Sequence, residues 1–381
     1  MNNEILACLQ GKCVDTVHCT IHSELVHSFL GEAERWFRNN GFTIAEKGVS
    51  AYVPVMEDIT IEMKKYWQNS GVVTQTLYKT PVGTLSERKE IGPDGSLWVK
   101  EYGIKTIEDI PVLKYIIEHI KYYPNYDAIT DAEGRLGDDG IVVCRLMRSP
   151  LQSLLIEWIG PEQTILLLFE YPDVMTDLMQ FMRNHFFQAI ELTAKSPARI
   201  AWSAENITSI LTSPTLFEKY CLPFYNEVAA IMHANGKLYG VHLDGNLAAL
   251  KALIARSGLD FIEGFTPPPM GDLDMKEAMA AWPSKVLWVN FPGSVFVEPE
   301  QAIIDYTVKL LKDGMGSGQF LLTIAEDLPD WRQDLNALGK GIKAYQAQKC
   351  SDPSTPSVSP PSSGSGQRPI FGGEGKEDCA H

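Results

Sequence analysis

The sequence predicts an α/β protein built as a TIM-type (β/α)8 barrel, with N-terminal helices and a β-ribbon added to it. From Ile141 onward, short apolar strand patterns alternate with helix patterns in at least five repeats. This alternation is typical of a parallel sheet. Each predicted strand ends in a polar residue, which favours a closed barrel over an open sheet. A chain of 381 residues is long enough for one such barrel with additions.

The composition is that of a globular protein, with 21% charged and 45% hydrophobic residues. A net charge of −15 makes nucleic acid or an anionic membrane an unfavourable partner. No run approaches the roughly 18 apolar residues of a membrane span. The first residues lack a basic segment followed by an apolar core, so we expect a cytoplasmic protein. Seven scattered cysteines without a Cys-x-x-Cys pair favour reduced thiols.

The N-terminal third predicts the additions to the barrel. Residues 4–19 indicate a short helix followed by an extended strand, and residues 22–40 indicate an amphipathic helix. Residues 72–102 alternate in the manner of β-hairpins, and we expect this ribbon to form a flap near the barrel mouth. The next helix begins with the capping-box sequence at residues 106–109.

Polar side chains at the predicted strand ends form the candidate site, because these ends gather at one face of a barrel. His242 and Asp244 are two residues apart, so both point the same way if the strand is still extended there. Alternatively, His242 donates to a backbone carbonyl and Asp244 caps the following helix. We expect Asn246 to be the N-cap of that helix, Leu247 to Ala255. The converging residues are Glu205, His242, Asp244, Glu263, Asn290 and Glu326.

Two of these acids are candidates for catalysis. Glu205 and Glu263 each follow an apolar strand, where a carboxylate is costly unless it is paired or bound to a ligand. Exposure at the barrel mouth is the alternative for either residue. His22, which follows the first strand, is a further candidate for the pocket.

Two arginines and two asparagines are candidates for binding the substrate. Arg145 and Arg148 lie at the end of the strand that begins at Ile141, where they can hold a substrate carboxylate with paired hydrogen bonds. An ordinary surface ion pair is the alternative. Asn290 and Asn246, which also follow strands, complete the predicted substrate-binding set with Arg148.

Four segments carry a resemblance to a known family: LACLQGKCVDTVHC near the start, TPVGTL in the ribbon, SPLQSLLIEWIGPE, and TSPTLFEKYCLPFYNEVAAIMHANGK leading into HLDGN. They resemble the uroporphyrinogen decarboxylase superfamily, which also contains cobalamin-dependent methyltransferases. The resemblance implies one barrel domain over residues 1–345. Residues 346–381 are rich in Ser, Pro and Gly, which predicts a disordered tail.

The resemblance favours the methyltransferase branch of this superfamily. True uroporphyrinogen decarboxylases carry an Arg-Gln-Ala-Gly-Arg type segment that holds substrate carboxylates, and the matching region here, CTIHSELVHSFLGEAERWF, has no such basic cluster. The methyltransferases bind zinc through His-x-Cys and a distal Cys. His242 matches the histidine, Asp244 stands at the first Cys position and Glu326 lies near the second. The resemblance therefore implies a divalent metal, with zinc favoured, on a ligand set harder than thiolates.

The resemblance implies an enzyme, and we favour a metal-assisted, corrinoid-linked methyltransferase that demethylates a small methylated or methoxylated substrate. The chain lacks an Asp-x-His-x-x-Gly cobalamin-binding segment, so the cobalamin would be bound to a partner corrinoid protein. The alternatives are a cofactor-independent decarboxylase and a non-catalytic barrel that binds a ligand. A homodimer is the expected assembly.

Removal of residues 350–381 is expected to leave stability almost unchanged, because their composition offers no core-forming segment. The thermal midpoint of the truncated protein should lie within about 2 °C of that of the full chain. A midpoint that is lower by several degrees would show that the tail docks on the barrel.

Overall fold

The computed structural model describes residues 2–12, 17–23, 32–68, 71–92, 97–315, 318–325, 328 and 330–351. Glu326, a predicted metal ligand, and residues 352–381 lie outside the described residues. The last helix, Trp331–Ser351, continues past the predicted domain boundary at residue 345. Within the described ranges, no helix is both long and apolar enough to cross a membrane.

Strands and helices alternate along most of the described chain. The strands are β1 (Cys19–His22), β2 (Thr43–Glu46), β3 (Tyr52–Met56), β4 (Thr60–Gln68), β5 (Gly71–Thr80), β6 (Gly83–Ile91), β7 (Leu97–Glu101), β8 (Ile120–Pro124), β9 (Gly140–Val142), β10 (Cys144–Leu146), β11 (Ile200–Ser203), β12 (Leu238–His242), β13 (Phe261–Phe265), β14 (Val286–Asn290) and β15 (Phe320–Ile324). The α-helices are Asn2–Leu9, Glu32–Asn39, Ile110–Glu118, Tyr126–Leu136, Pro150–Ser153, Pro161–Glu170, Pro172–Lys195, Pro214–Leu216, Leu222–Ala234, Lys251–Ala255, Met275–Ala281, Glu300–Gly314 and Trp331–Ser351.

One parallel sheet closes on itself to form the barrel. Its strand order is β10-β11-β12-β13-β14-β15-β1-β2-β9, and every neighbouring pair is parallel. Only Val143 separates β9 from β10, so these are two halves of one strand. The first half pairs with β2 and the second with β11. The described strands therefore make an eight-stranded barrel, which confirms the predicted fold.

The barrel interior is filled by aromatic and aliphatic side chains. Trp202, Phe261, Trp288 and Leu321 belong to one buried cluster contributed by four different strands. Ile5, from the first helix, is fully buried and joins the same cluster. This packing leaves two indole rings directly beneath the polar residues that follow the strands.

The additions to the barrel are antiparallel. Strands β4 to β7 form a four-stranded antiparallel sheet, and β3 pairs with β8. The predicted ribbon over residues 72–102 is confirmed as β5, β6 and β7. The sequence did not predict β4, because nearly every side chain of Thr60–Gln68 is exposed and an exposed strand needs no apolar alternation.

The described cysteines are poor candidates for nucleophiles or metal ligands. Cys19, Cys144 and Cys221 are free and buried. Burial raises the pKa of all three thiols, that of Cys144 to about 11, so they stay protonated at neutral pH. Cys8 is disulfide-bonded, so the prediction of reduced thiols is wrong at that residue.

Two glycine-to-alanine changes test the packing of the barrel wall in opposite directions. A Cβ at Gly240 in β12 would lie 2.3 Å from the ring of Phe261, so Gly240→Ala should lower the free energy of unfolding by about 1–3 kcal/mol. A Cβ at Gly134, inside helix Tyr126–Leu136, would meet nothing within 4 Å. Gly134→Ala should therefore raise the free energy of unfolding by about 0.5–1 kcal/mol. Denaturant unfolding of both variants checks this, and a stabilised Gly240→Ala protein would contradict the described packing.

Candidate active site

A cavity of about 340 Å³ opens among the residues at the carboxyl ends of the barrel strands. Seven of the eight strand ends contribute to its lining. Of the residues predicted to converge there, His242, Asp244 and Asn290 line the cavity. The lining residues are His22, Ser23, Lys47, Arg145, Arg148, Trp202, Ala204, Asn206, His242, Asp244, Asn290 and Ala325.

The remaining strand, β13, supplies a wholly buried carboxylate beneath the cavity. Glu263 Oε2 accepts a hydrogen bond from His242 Nδ1 at 2.7 Å. Glu263 Oε1 accepts one from Lys47 Nζ and lies 3.3 Å from His22 Nε2. Lys47 Nζ also donates to His22 Nε2. One buried carboxylate therefore holds three cavity-lining side chains that come from β1, β12 and the segment after β2.

These contacts set the protonation states of the group. Burial opposes ionisation of Glu263, but Lys47 and His242 hold its pKa well below the usual range. Burial also opposes charge on His242, yet Glu263 and Asp244 outweigh it and raise the pKa of His242 to about 9. Burial, with Lys47, lowers the pKa of His22. At neutral pH and without a bound ligand, Glu263 is anionic, His242 is cationic and His22 is neutral.

Trp202 forms a shared wall for the charged groups. Lys47 Nζ lies 5.1 Å from the centre of the Trp202 ring and 5.0 Å from that of Trp288. Arg145 Cζ is 6.0 Å from the Trp202 ring centre, and the His242 ring meets the same indole edge-on at 6.1 Å. Cation–π attraction favours ammonium and guanidinium groups on an indole face. The barrel core thus fixes the three cationic groups relative to one another.

Asp244 lies beside His242, as the sequence predicts for a ligand pair. Its Oδ2 is 3.4 Å from His242 Nε2, and its side chain is 43% exposed. It does not cap the following helix. Asp272 Oδ1 accepts hydrogen bonds from the backbone N–H groups of Leu247 at 2.7 Å and Ala248 at 3.0 Å.

Asn246 does not have the role that the sequence predicts. The N-terminal N–H groups of the helix are satisfied by Asp272, so the prediction of an Asn246 cap is wrong. Asn246 is not among the residues that line the cavity. Its backbone carbonyl accepts from Ser209, which ties this turn to the loop after β11. Its predicted substrate-binding role has no support in this position.

Glu205 is buried in the wall of the barrel and does not line the cavity. Its carboxylate accepts hydrogen bonds from Ser149 N and Oγ, each at 2.6 Å, and from Tyr225 Oη at 2.7 Å. Burial raises its pKa against the effect of these bonds. Glu205 therefore joins the loop after β10 to helix Leu222–Ala234, and its predicted catalytic role has no support here.

Asn290 and Arg148 line the cavity, which agrees with their predicted position. Asn290 Oδ1 accepts from Ala325 N at 3.2 Å, and its amide nitrogen lies 3.5 Å from Thr266 Oγ1. Arg148 donates to Glu157 Oε1 at 2.7 Å. Glu157 lies in a π-helical turn, Leu154–Trp158, a feature that occurs frequently at functional sites.

The described residues supply two of the three predicted metal ligands, His242 and Asp244. No group of three His, Cys, Asp or Glu side chains suited to a metal occurs among the described residues. Glu326 lies outside them, but its neighbour Ala325 lines the cavity. The donor set fits a metal in one respect. Because Glu263 holds Nδ1 of His242, the other ring nitrogen, Nε2, faces Asp244, as in metal-bound histidines oriented by a carboxylate.

Lys47 is the charged residue of the cavity lining that the sequence does not predict. It follows β2 in the segment Glu46-Lys47-Gly48, where a lysine reads as an ordinary exposed residue. Its burial follows from Glu263 and the two indoles, which belong to strands more than 150 residues further along the chain. No local pattern in residues 46–51 marks this lysine as buried.

The fold and the cavity define a (β/α)8-barrel protein with a polar site at the carboxyl ends of its strands. The model of the uroporphyrinogen decarboxylase (URO-D) family matches residues 92–324, more than half of the chain. The chain belongs to this family, whose wider superfamily consists of enzymes that include decarboxylases and methyltransferases.

A solved structure supports the fold. A methyltransferase from Methanosarcina mazei is similar with a TM-score of 0.57 and 13% identity, covering 91% of this chain and 98% of that chain. A B12-independent methionine synthase from a Shewanella species has a TM-score of 0.41 and 11% identity over 86% and 90% of the two chains, too low to support an inference. The comparison with curated proteins found no match. At 13% identity the Methanosarcina mazei structure supports the fold alone.

Removing the cation beneath the cavity should destabilise the protein. Lys47→Met leaves Glu263 without its nearest cation in a buried position, so the free energy of unfolding should fall by about 3–5 kcal/mol. The double variant Lys47→Met/Glu263→Gln should recover part of this loss, because no uncompensated carboxylate remains. Lys79→Met, which removes an exposed ion pair with Glu62, is the control and should cost at most about 1 kcal/mol. Denaturant unfolding that gives equal losses for the two single variants would contradict the described network.

Proposed function

We propose that the chain is a metal-assisted methyltransferase of the URO-D family that demethylates a small substrate in the cavity. The observation that carries the proposal is the orientation of His242. Glu263 occupies Nδ1, so the ring presents Nε2 to Asp244 at the cavity wall. A histidine held in this way by a carboxylate is a better metal ligand, because its tautomer and direction are fixed.

The size of the cavity supports a small substrate. A volume of about 340 Å³ lies at the lower end of the range for small-molecule sites. An octacarboxylic porphyrinogen would be far larger than this space. The likeness to a methyltransferase over almost the full length of both chains is compatible with the proposal.

In the proposed site, His242, Asp244 and Glu326 would hold a divalent metal, with zinc favoured for this ligand set. Such a metal, when bound, supplies a Lewis acid that withdraws charge from the substrate heteroatom carrying the methyl group. Binding of the metal would displace the proton that His242 carries in the metal-free protein. Glu263 would hold the ring in place throughout, with Lys47 keeping Glu263 ionised.

The remaining lining residues would bind the substrate and stabilise charge. When a methyl group leaves, both electrons of the broken bond stay on the substrate heteroatom, which becomes more negative. Lys47 and Arg145 place cations on the cavity lining, where they favour that change. Asn290 offers an amide at the same wall. The methyl acceptor would be a corrinoid carried by a separate partner protein.

Decarboxylation is the second candidate, and the cationic lining favours it. Lys47, Arg145 and Arg148 line the cavity with Asp244 as the only acid among the lining residues of the described chain. One carboxylate held by these cations would anchor the substrate. The carbon that loses carbon dioxide would keep the electron pair of the broken bond and take up a proton, for which cationic His242 is the donor at the cavity lining. If the protein transfers a methyl group from a methylated substrate to cob(I)alamin, this result would support methyl transfer. Release of carbon dioxide without cobalamin would support decarboxylation.

Metal content tests the proposed ligand set. Protein reconstituted with zinc and freed of excess metal should hold about one equivalent, measured by plasma mass spectrometry. His242→Ala, Asp244→Ala and Glu326→Ala should each lose most of this zinc. The first two variants should remain folded, because neither His242 nor Asp244 belongs to the hydrophobic core.

His233→Ala is the matched control, since His233 also pairs with an acid, Asp260, but lies outside the cavity. It should retain full metal content. Wild-type protein that binds no zinc would overturn the metal mechanism. Retention of zinc by His242→Ala would overturn the proposed site.

A further inference from the structure

Arg145 is a cation of the cavity lining without an acidic partner in the described chain. Its guanidinium makes no ion pair and no side-chain hydrogen bond with any described residue, and it lies on the face of Trp202. The other lining cations are neutralised, cationic His242 by Glu263 and Asp244. Lys47 pairs with Glu263, and Arg148 pairs with Glu157.

An unpaired guanidinium in a cavity indicates that an anionic ligand binds there. Taking a cation partly out of water costs free energy unless an anion compensates. The chain as a whole carries a net charge of −15, so acids are plentiful, yet none of the described ones reaches Arg145. A recess lined mainly by one sign of charge also raises the local concentration of ligands of the opposite sign.

Arg145 and His242 both lie close to the indole ring of Trp202. Arg145 and His242 each lie about 6 Å from this ring, at 6.0 Å and 6.1 Å. Both residues line the same small cavity, so a ligand bound to Arg145 lies in the cavity that His242 also lines.

We propose that Arg145 binds a carboxylate of the substrate, so that the substrate class is a small monocarboxylic acid. The planar guanidinium matches the two oxygens of a carboxylate. One unpaired guanidinium balances one negative charge, which favours a carboxylate over a doubly charged phosphate. This inference rests on the proposed function only for the reaction that the bound substrate undergoes, because carboxylate binding at Arg145 requires neither a metal nor turnover.

Calorimetric titration with simple carboxylates and their neutral amides tests the proposal. Acetate, acetamide, benzoate, benzamide and inorganic phosphate are each titrated into the full chain, with and without zinc. At least one carboxylate should bind more tightly than its amide and than phosphate. Arg145→Gln should weaken that binding about 10- to 100-fold, because a charge-assisted hydrogen-bond pair is lost. Arg145→Lys keeps the positive charge but loses the paired N–H donors of the guanidinium. Its carboxylate affinity should therefore lie between that of the wild type and that of Arg145→Gln.

Arg256→Gln is the control, because Arg256 pairs with Glu218 on the exposed surface away from the cavity. Its binding should equal that of the wild type. Equal binding of each carboxylate and its amide, tighter binding of phosphate, no binding of either carboxylate, or unchanged binding by Arg145→Gln would overturn the proposal. Carboxylate binding by protein that takes up no zinc would support the subsite while contradicting the proposed metal function.

Discussion

The site depends on one buried ion network, in which the carboxylate of Glu263 is compensated by Lys47 and His242. A lone carboxylate in this position would be protonated or would destabilise the fold. With both partners in place, its pKa is held low, and it fixes the direction of the His242 ring. The proposed metal site depends on that fixed ring, because its Nε2 is the atom presented to Asp244.

The network exists because the barrel closes. Lys47 follows β2, Glu263 lies on β13 and His22 ends β1, so their side chains meet only when the strand ends form a ring. The interior aromatic residues contribute as well, since Trp202 and Trp288 receive Lys47 on their ring faces. Core packing and site geometry are therefore coupled, and a change in the upper layer of the core would also move the cations.

The sequence predicted the barrel and several strand-end residues, because strand and helix periodicity is local and strand ends gather at one face. His242 and Glu263 were found in this way. Lys47 was not, since its partners are distant in sequence and no local pattern marks a buried lysine. Glu205 was placed at the correct strand end, but its partners in the adjacent wall turn it away from the cavity. The prediction that Asn246 caps the helix was wrong for the same reason, because the capping residue, Asp272, lies in a loop that is distant in sequence.

The central claim is that Glu263 acts on His242 without touching the ligand that His242 binds. The zinc affinity of Glu263→Gln, measured by competition with a chromophoric chelator, tests it most directly. The double variant Lys47→Met/Glu263→Gln repeats the measurement with no uncompensated charge. The account predicts that both bind zinc about 10- to 100-fold more weakly than the wild type, because the ring loses its oriented, charged partner. Zinc affinities equal to that of the wild type in both folded variants would contradict it.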